Sequence, residues 1–177
     1  MNTFDNLYSR KSIRNFNGKN FTDAELKEIL KSAYAAPVGH ALYDTLALTV
    51  ITNKDFLNRW EDAVAEHDNA PGKHPFYNAP TVILVSSVMS PAPTDNVHYS
   101  NAAGIVQNMA LAATELNIGA CHIWGAVRVL NKKPELIKEL NIPENMVPCC
   151  AIALGYTDEK YEIREIPENR IETTYIK

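Results

Sequence analysis

Long apolar runs are absent from this chain, since none approaches the ~20 residues that a helix needs to cross a bilayer. The first residues, MNTFDNLYSRKS, also lack the apolar stretch of a secretory signal peptide. Basic residues are in the minority, because 17 lysines and arginines face 21 acidic residues and give a net charge of -4. Such a balance disfavours an extended nucleic-acid or membrane-surface footprint. We therefore expect a cytoplasmic protein with no membrane and no nucleic-acid partner.

Cysteine is scarce, and the three in the chain are Cys121, Cys149 and Cys150. Cys149 and Cys150 would point to opposite faces of a strand, so a bond between them would be strained. The sequence has no CxxC pair and no metal-ligand spacing. We therefore predict three buried, reduced thiols and no metal site.

A GxGxxG turn after a strand is missing as well, so a dinucleotide would have to bind without a dedicated binding unit. The chain also has no internal repeat. Its 177 residues, with 46% hydrophobic content, are sufficient for one packed core. We predict a single domain over residues 1–177.

Helices are indicated by apolar periodicity and by capping residues. Thr22 and Glu25 form a capping box at the start of a helix that Pro37 ends. Asn53 is a plausible cap for a second helix, NKDFLNRWEDAVAEH. A long helix with many small residues covers 98–119 and stops at Gly119, and a short one covers KKPELIKEL.

Four strands are predicted at 45–52, 79–88, 120–127 and 147–156, with loops at 68–78 and 90–96. Three of the strands are apolar on both faces, which indicates a sheet covered by helices on each side. The resulting order is α, α, β, α, β, α, β, α, β, followed by a tail. This order predicts a three-layer α/β or α+β fold.

The basic segment YSRKSIRNF, Tyr8 to Phe16, needs an explanation in an acidic chain. It could be a solvated surface, a nucleic-acid contact or a site for one small anion. Arg10 and Arg14 are four residues apart, so we expect them to share one face of a helix or turn. Ser9 and Ser12 add hydroxyl donors, and this grouping suits a single phosphate.

The wider pattern resembles the nitroreductase family of flavoproteins. RKSIRNF is followed by a capped helix that ends in AAP and then by a strand, as in the N-terminal signature of that family. Further similar stretches follow in the family's order: YNAPTVILV, NAAGIVQNMALAATELNIGACHIWGA, LNIPENMVPCCAIALGY and a C-terminal arm with a late arginine. The resemblance covers essentially the whole chain.

The resemblance implies an α+β fold of three α/β/α layers, whose central, mostly antiparallel sheet is flanked by helices. It implies a homodimer with FMN at the interface and a C-terminal arm that reaches the partner subunit. NADH or NADPH would be the hydride donor, and small acceptors such as nitroaromatics or quinones would be reduced in alternation. Two other functions stay open: an FMN-binding or storage protein without turnover, and a flavin-dependent oxidation of a specialised substrate.

The resemblance also assigns the residues of the phosphate site. The matching positions in the basic segment, which would hold the FMN phosphate and ribityl chain, are Arg10, Lys11, Ser12 and Arg14. A late basic residue completes this site in the family, and Arg170 matches it better than its rival Arg164. The tail from residue 157 has little core of its own, so it packs either on a partner subunit or on its own chain, or it frays.

The flavin ring would meet residues from three segments. Ile123, Trp124 and Gly125 match the segment whose backbone approaches the ring, with a backbone N–H of Trp124 or Gly125 directed at N5. Trp124 is also interpretable as an ordinary buried aromatic, and His122 as a core or interface histidine. Lys73 or His74, in the loop NAPGKHPFY, would lie near the pyrimidine edge.

The segment APVGHALYD departs from the family pattern. Val38 stands where a serine is expected, and Ala41 lies near the place of an asparagine. The resemblance still implies flavin contacts through Pro37, Val38 and Gly39. The candidates for lining the pocket are His40 and Tyr43. No side chain is predicted to act as a catalytic acid or base.

Overall fold

A four-stranded antiparallel sheet forms the middle of the structure, a computed structural model that describes residues 1–92 and 96–177. Residues 93–95, in the predicted loop 90–96, lie outside the described residues. The strands are β1 Leu46–Ile51, β2 Thr81–Val88, β3 Gly119–Ile123 and β4 Met146–Gly155. Their spatial order is β1-β2-β4-β3, with each neighbouring pair antiparallel.

Helices cover both faces of this sheet. The helices are α1 Thr3–Ser9, α2 Asp23–Tyr34, α3 Lys54–His67, α4 Val97–Glu115, α5 Gly125–Leu130 and α6 Pro134–Glu139. Short 3-10 turns at Gly39–Ala41 and Tyr43–Thr45 lead into β1. In the described part of the chain, no helix combines the length and apolar character needed to span a bilayer.

Alternate residues of the central strand β2 belong to two separate cores. Val82 and Leu84 face a core that contains Trp60 of α3, while Ile83 and Val85 face a second core with α2 and α4. This alternation explains why the strand is apolar on both faces, because each face is covered by helices. The three-layer α+β prediction is confirmed.

The two predicted helix caps at Thr22 and Asn53 are confirmed. The Thr22 hydroxyl accepts a hydrogen bond from the backbone N–H of Glu25, and the Glu25 carboxylate accepts one from the Thr22 N–H. Asn53 Oδ1 accepts from the Phe56 N–H at 3.0 Å. Each cap satisfies backbone donors that have no partner within the first turn of the helix.

The predicted strand at 120–127 is wrong in its second half. Strand β3 ends at Ile123, and α5 begins at Gly125. The buried residues Ala126, Val127, Val129 and Leu130 follow a helical rather than an alternating pattern. Trp60 of α3 donates its indole N–H to the Ala126 carbonyl at 2.9 Å, which anchors the start of α5.

The expected helix or turn face shared by Arg10 and Arg14 is also wrong. Helix α1 ends at Ser9, and Arg10 has an extended backbone with φ -53° and ψ 124°. The following residues run beside the edge strand β3, where the Ile13 N–H donates to the Ala120 carbonyl at 2.9 Å. Ile13 is fully buried, and its burial fixes the segment against the sheet.

The tail after β4 has no helix or strand. Its first part packs on its own chain, because Tyr161 donates its hydroxyl to the Ile118 carbonyl at 2.9 Å. The last apolar residues are exposed: Ile171 by 80%, Tyr175 by 79% and Ile176 by 98%. The tail is therefore anchored only at its beginning.

The capping box gives a direct stability test. Thr22→Ala removes the side-chain acceptor at the start of α2, so we expect the free energy of unfolding to fall by about 1 kcal/mol. Thr22→Ser keeps the hydroxyl and should restore most of this loss. Urea denaturation at a fixed protein concentration measures both variants, and equal stabilities of Thr22→Ala and wild type would contradict the assignment.

Candidate functional site

The basic segment forms a cluster of donors at the end of α1 and beside β3. Arg10 is half-buried, and burial lowers the pKa of its guanidinium, with the positive charge of Arg164 lowering it further. Lys11 pairs with Glu159 at 2.8 Å, and Arg14 is exposed. Burial raises the pKa of the nearby Cys121 thiol, while Arg14 and a hydrogen bond with Ser12 oppose that change. The predicted phosphate-binding residues are thus brought together.

The two candidate arginines of the tail are in different situations. Arg164 donates through Nε to the Tyr8 carbonyl at 3.0 Å and through a terminal nitrogen to the Arg10 carbonyl at 2.5 Å. It thereby ties the tail to the end of α1. Arg170 is exposed on the later part of the tail, beyond the contacts of Arg164.

A cleft of about 410 Å³ opens where β3 ends. This volume is within the ordinary range for small-molecule sites. It is lined by two groups of residues, one from the 68–78 loop and one from the end of β3 and the start of α5: Asp68, Lys73, His74, Pro75 and Tyr77, and His122, Ile123, Trp124, Gly125 and Ala126. The structure therefore brings Ile123, Trp124 and Gly125 together with Lys73 and His74.

Neither Trp124 nor His122 is fully buried in the core. Trp124 is 48% exposed at the cleft. His122 is half-buried, and its Nε2 is a buried atom with no hydrogen-bond partner among the described residues. Burial lowers the pKa of His122, and the positive charge of Arg10 lowers it further, so the imidazole is neutral at pH 7. The residues Arg10, Lys11, Ser12 and Arg14 do not line the cleft themselves, but their segment runs beside β3, the strand whose end lines it.

Two carboxylates hold the loop that forms one wall of the cleft. Lys73 pairs with Asp68 at 2.5 Å, and this hydrogen bond lowers the pKa of Asp68. His74 Nδ1 lies 2.9 Å from Glu61 Oε2, and the Phe76 N–H donates to Glu61 Oε1 at 3.0 Å. Sequence reasoning missed Glu61, because a glutamate on an amphipathic helix resembles any solvated charge and its partners are known only from the fold.

The segment APVGHALYD, which departs from the family pattern, lies outside this cleft. The Gly39 N–H donates to Asn101 Oδ1 of α4 at 3.0 Å, and a Cβ on Gly39 would lie 2.8 Å from the side chain of Val97. The next two residues, His40 and Ala41, have left-handed backbone with φ of 55° and 56°. Such strain in residues other than glycine is characteristic of functional loops.

The pocket candidates of this segment are exposed rather than enclosed. His40 and Tyr43 are both exposed, and Tyr43 donates its hydroxyl to the Ala36 carbonyl at 3.2 Å. Within the described residues of one chain, neither they nor Pro37, Val38 and Gly39 line the cleft. Within one chain, this segment is therefore separate from the cleft that Ile123, Trp124 and Gly125 line.

Helix α4 sets the distance between the Gly39 loop and the basic segment. Its early residue Asn101 holds the Gly39 loop, whereas its last residue, Glu115, accepts from Asn6 of α1, just before the basic segment. At 1.5 Å per residue, these two positions are about 21 Å apart along the helix axis. The loop and the basic segment thus lie near opposite ends of α4.

The three cysteines agree with the prediction of inert thiols. All three are free and buried. Burial raises the pKa of Cys149 to about 11 and that of Cys150 to about 12. Across the described ranges, no group of three or more His, Cys, Asp or Glu side chains is arranged to hold a metal ion.

Comparison with known proteins supplies the family. The model of the nitroreductase family matches residues 7–156, which is most of the chain. The chain belongs to the nitroreductase family. A member from Archaeoglobus fulgidus, named as a candidate NADH dehydrogenase/NAD(P)H nitroreductase, is 26% identical over 161 residues, covering 90% of this chain and 87% of that protein. An FMN reductase (NADPH) from Bacillus subtilis is 24% identical over 174 residues, covering 88% of this chain and 66% of that protein.

Solved members of the nitroreductase family share the fold. A nitroreductase with bound FMN from Desulfitobacterium hafniense superposes with a TM-score of 0.84 at 23% identity, over 100% of both chains. Another with bound FMN, from Bacteroides fragilis, gives a TM-score of 0.81 at 25% identity and covers 99% of this chain and 100% of that chain. The expected nitroreductase-like fold is therefore confirmed.

The buried thiols give a second test. At pH 8, a pKa of about 11 or 12 leaves Cys149 and Cys150 with a thiolate fraction of about one in a thousand or less, so a thiol reagent should label them very slowly. Raising the pH increases that fraction and should accelerate labelling. Colorimetric thiol titration should find three reactive thiols only after unfolding in guanidinium. Rapid labelling of either residue in the native protein would contradict its burial.

Proposed function

We propose that this protein is an FMN-dependent oxidoreductase that accepts hydride from NADH or NADPH and reduces small acceptors such as nitroaromatics or quinones. For a quinone, the balanced reaction converts NAD(P)H, one proton and the quinone into NAD(P)⁺ and the quinol. The observation that carries the proposal is the group of phosphate donors on the segment that runs beside β3, the strand whose end lines the cleft, in a chain of the nitroreductase family. The names of the relatives, which include NAD(P)H nitroreductase and FMN reductase, support it.

The residues present fit FMN. A phosphate dianion requires several donors, and Arg10, Lys11, Ser12 and Arg14 provide guanidinium, ammonium and hydroxyl groups within one short segment. The adjoining cleft has the exposed indole of Trp124 for contact with an aromatic ring system. The unpartnered Nε2 of His122 is a polar atom of the kind that a bound molecule would satisfy.

The protein's share of the chemistry is binding and orientation. FMN, when bound, supplies the capacity to take up and release two electrons. Arg10 and Arg14 would hold its phosphate, while the backbone at Trp124 and Gly125 and the side chain of Lys73 would contact its ring. No side chain is required to form a covalent bond with a reactant.

A second copy of the chain would complete the site. The exposed tail residues Ile171, Tyr175 and Ile176 suit burial against a partner, as do Phe4 and Tyr8 of α1, which are 66% and 41% exposed. In a homodimer, the Gly39 loop of one chain can approach the cleft of the other, which the length of α4 prevents within one chain. Reduced thiols suit a reducing compartment such as the cytoplasm.

A protein that binds FMN without turnover is the second candidate, and the residue Val38, in place of the family's serine, favours it. The same departure is compatible with oxidation of a specialised substrate. The visible spectrum of the purified protein, recorded before and after anaerobic NADH or NADPH, separates these functions. The proposed function predicts a flavin spectrum that bleaches. A flavin that stays oxidised with both dinucleotides would contradict hydride uptake, and a protein that cannot take up FMN would contradict every flavin function.

Arg14 provides a test of the phosphate site. Arg14→Ala removes an exposed guanidinium from the basic segment, and the loss of a charge-assisted hydrogen bond should weaken FMN binding at least tenfold. Arg59→Ala is the matched control, because Arg59 pairs with Glu139 on the outer side of α3. Fluorescence titration of the flavin-free proteins measures both. Equal losses in the two variants would contradict a specific phosphate site.

The two tail arginines should respond differently to substitution. Arg170→Ala should weaken FMN binding without lowering the stability of the flavin-free protein, because Arg170 is exposed on the unanchored tail. Arg164→Ala removes hydrogen bonds to the Tyr8 and Arg10 carbonyls, so it should lower thermal stability in the absence of FMN. Flavin titration and thermal unfolding measure the two effects. An Arg170→Ala protein with unchanged FMN affinity would exclude Arg170 from the site.

A further inference from the structure

Glu61 is a mostly buried carboxylate that the proposed function does not yet use. Its side chain is 12% exposed in the middle of α3, and both of its oxygens are engaged. A carboxylate in such a position is stable only when hydrogen bonds replace its lost hydration. Both partners, the His74 ring and the Phe76 N–H, belong to the 68–78 loop.

This pair of contacts fixes the loop wall of the cleft. The loop contains left-handed residues at Asn69 and Gly72, and the exposed Lys73–Asp68 pair lies within the loop itself. Glu61, in contrast, connects the 68–78 loop to helix α3 through His74, which lines the cleft. The position of the His74 ring therefore depends on a residue outside the loop.

The contact also selects the form of the imidazole. A carboxylate can only accept, so His74 Nδ1 must carry a hydrogen, and in the neutral ring Nε2 is then an acceptor. Such a nitrogen binds an N–H or O–H group. The two reactants of the proposed reaction differ in this respect. The carboxamide of the reduced nicotinamide has N–H donors, whereas the nitro group or the quinone of an acceptor offers only acceptor oxygens.

We propose that Glu61 is a positioning residue that holds His74 with Nε2 towards the cleft, where it accepts a hydrogen bond from the carboxamide of the reduced nicotinamide. The proposal rests on the proposed function, because it requires the dinucleotide to bind in this cleft. It assigns Glu61 and His74 to recognition of the hydride donor. It gives them no part in holding FMN or the acceptor.

The variant Glu61→Gln tests the proposal with little change in shape. Its carbonyl oxygen can still accept from the Phe76 N–H, but its amide can donate to His74 Nδ1 and reverse the form of the ring. We expect the apparent Kd for NADH, from anaerobic stopped-flow reduction, to rise three- to tenfold in Glu61→Gln and in His74→Ala. The double variant should be no weaker than His74→Ala alone, because Glu61 acts through His74. The KM for a quinone and the Kd for FMN should not change.

Reduced 3-acetylpyridine adenine dinucleotide sharpens this test, because its acetyl group has no N–H donor. The difference between wild type and Glu61→Gln should disappear with this analogue. Glu66→Gln is the control, since Glu66 is on the same helix and pairs with Lys133 at 3.0 Å but is exposed. An equal effect with NADH and the analogue, an unchanged Kd for NADH, or a weakened FMN affinity would each overturn the proposal.

Hydrogen exchange in the flavin-free protein tests the positioning role by itself. The Phe76 amide should exchange about five- to tenfold faster in Glu61→Ala, which removes its acceptor, and at the wild-type rate in Glu66→Gln. Unchanged protection in Glu61→Ala would overturn the role of Glu61 in holding the loop. A wild-type protein that takes up no FMN would contradict the proposed function, yet the exchange result would still decide whether Glu61 fixes this wall.

Discussion

Helix α4 separates the Gly39 loop from the basic segment, and the arrangement of the candidate site depends on this spacing. Its 19 residues form a rod of about 28 Å, with the Gly39 loop bound near its beginning and α1 bound near its end. Because the helix is rigid, the Gly39 loop and α1 stay near its opposite ends within one chain. In the proposed homodimer, an antiparallel pair of α4 helices would place the beginning of one near the end of the other and form two equivalent sites.

The basic segment is held in place by backbone hydrogen bonds and by one buried side chain. The Ile13 N–H binds the Ala120 carbonyl of the edge strand β3, and the buried Ile13 side chain prevents the segment from moving away. The neighbouring basic residues therefore lie beside β3, whose end at Ile123 lines the cleft. An acidic protein needs such local concentration to bind a phosphate, because its overall field repels anions.

Local signals predicted much of the fold but not the walls of the site. Local sequence was sufficient to predict the caps at Thr22 and Asn53 and the strands that are apolar on both faces, because each depends on neighbouring residues in the chain. The end of β3 and the extended backbone at Arg10 depend on packing against α3 and the sheet, which local patterns do not contain. Glu61 acts on residues more than ten positions away, and therefore only the folded chain reveals it. The family resemblance supplied the predicted roles of the site residues, whereas the residues alone indicated only a basic segment that suits a single phosphate.

Native mass spectrometry of the FMN-loaded protein tests the central claim most directly, because it measures chain number and flavin content in the same particle. We expect a dimer of the 19.7 kDa chain that carries two FMN molecules, with FMN lost when the dimer dissociates. A monomer that retains one FMN would contradict it, since one chain would then provide the whole site.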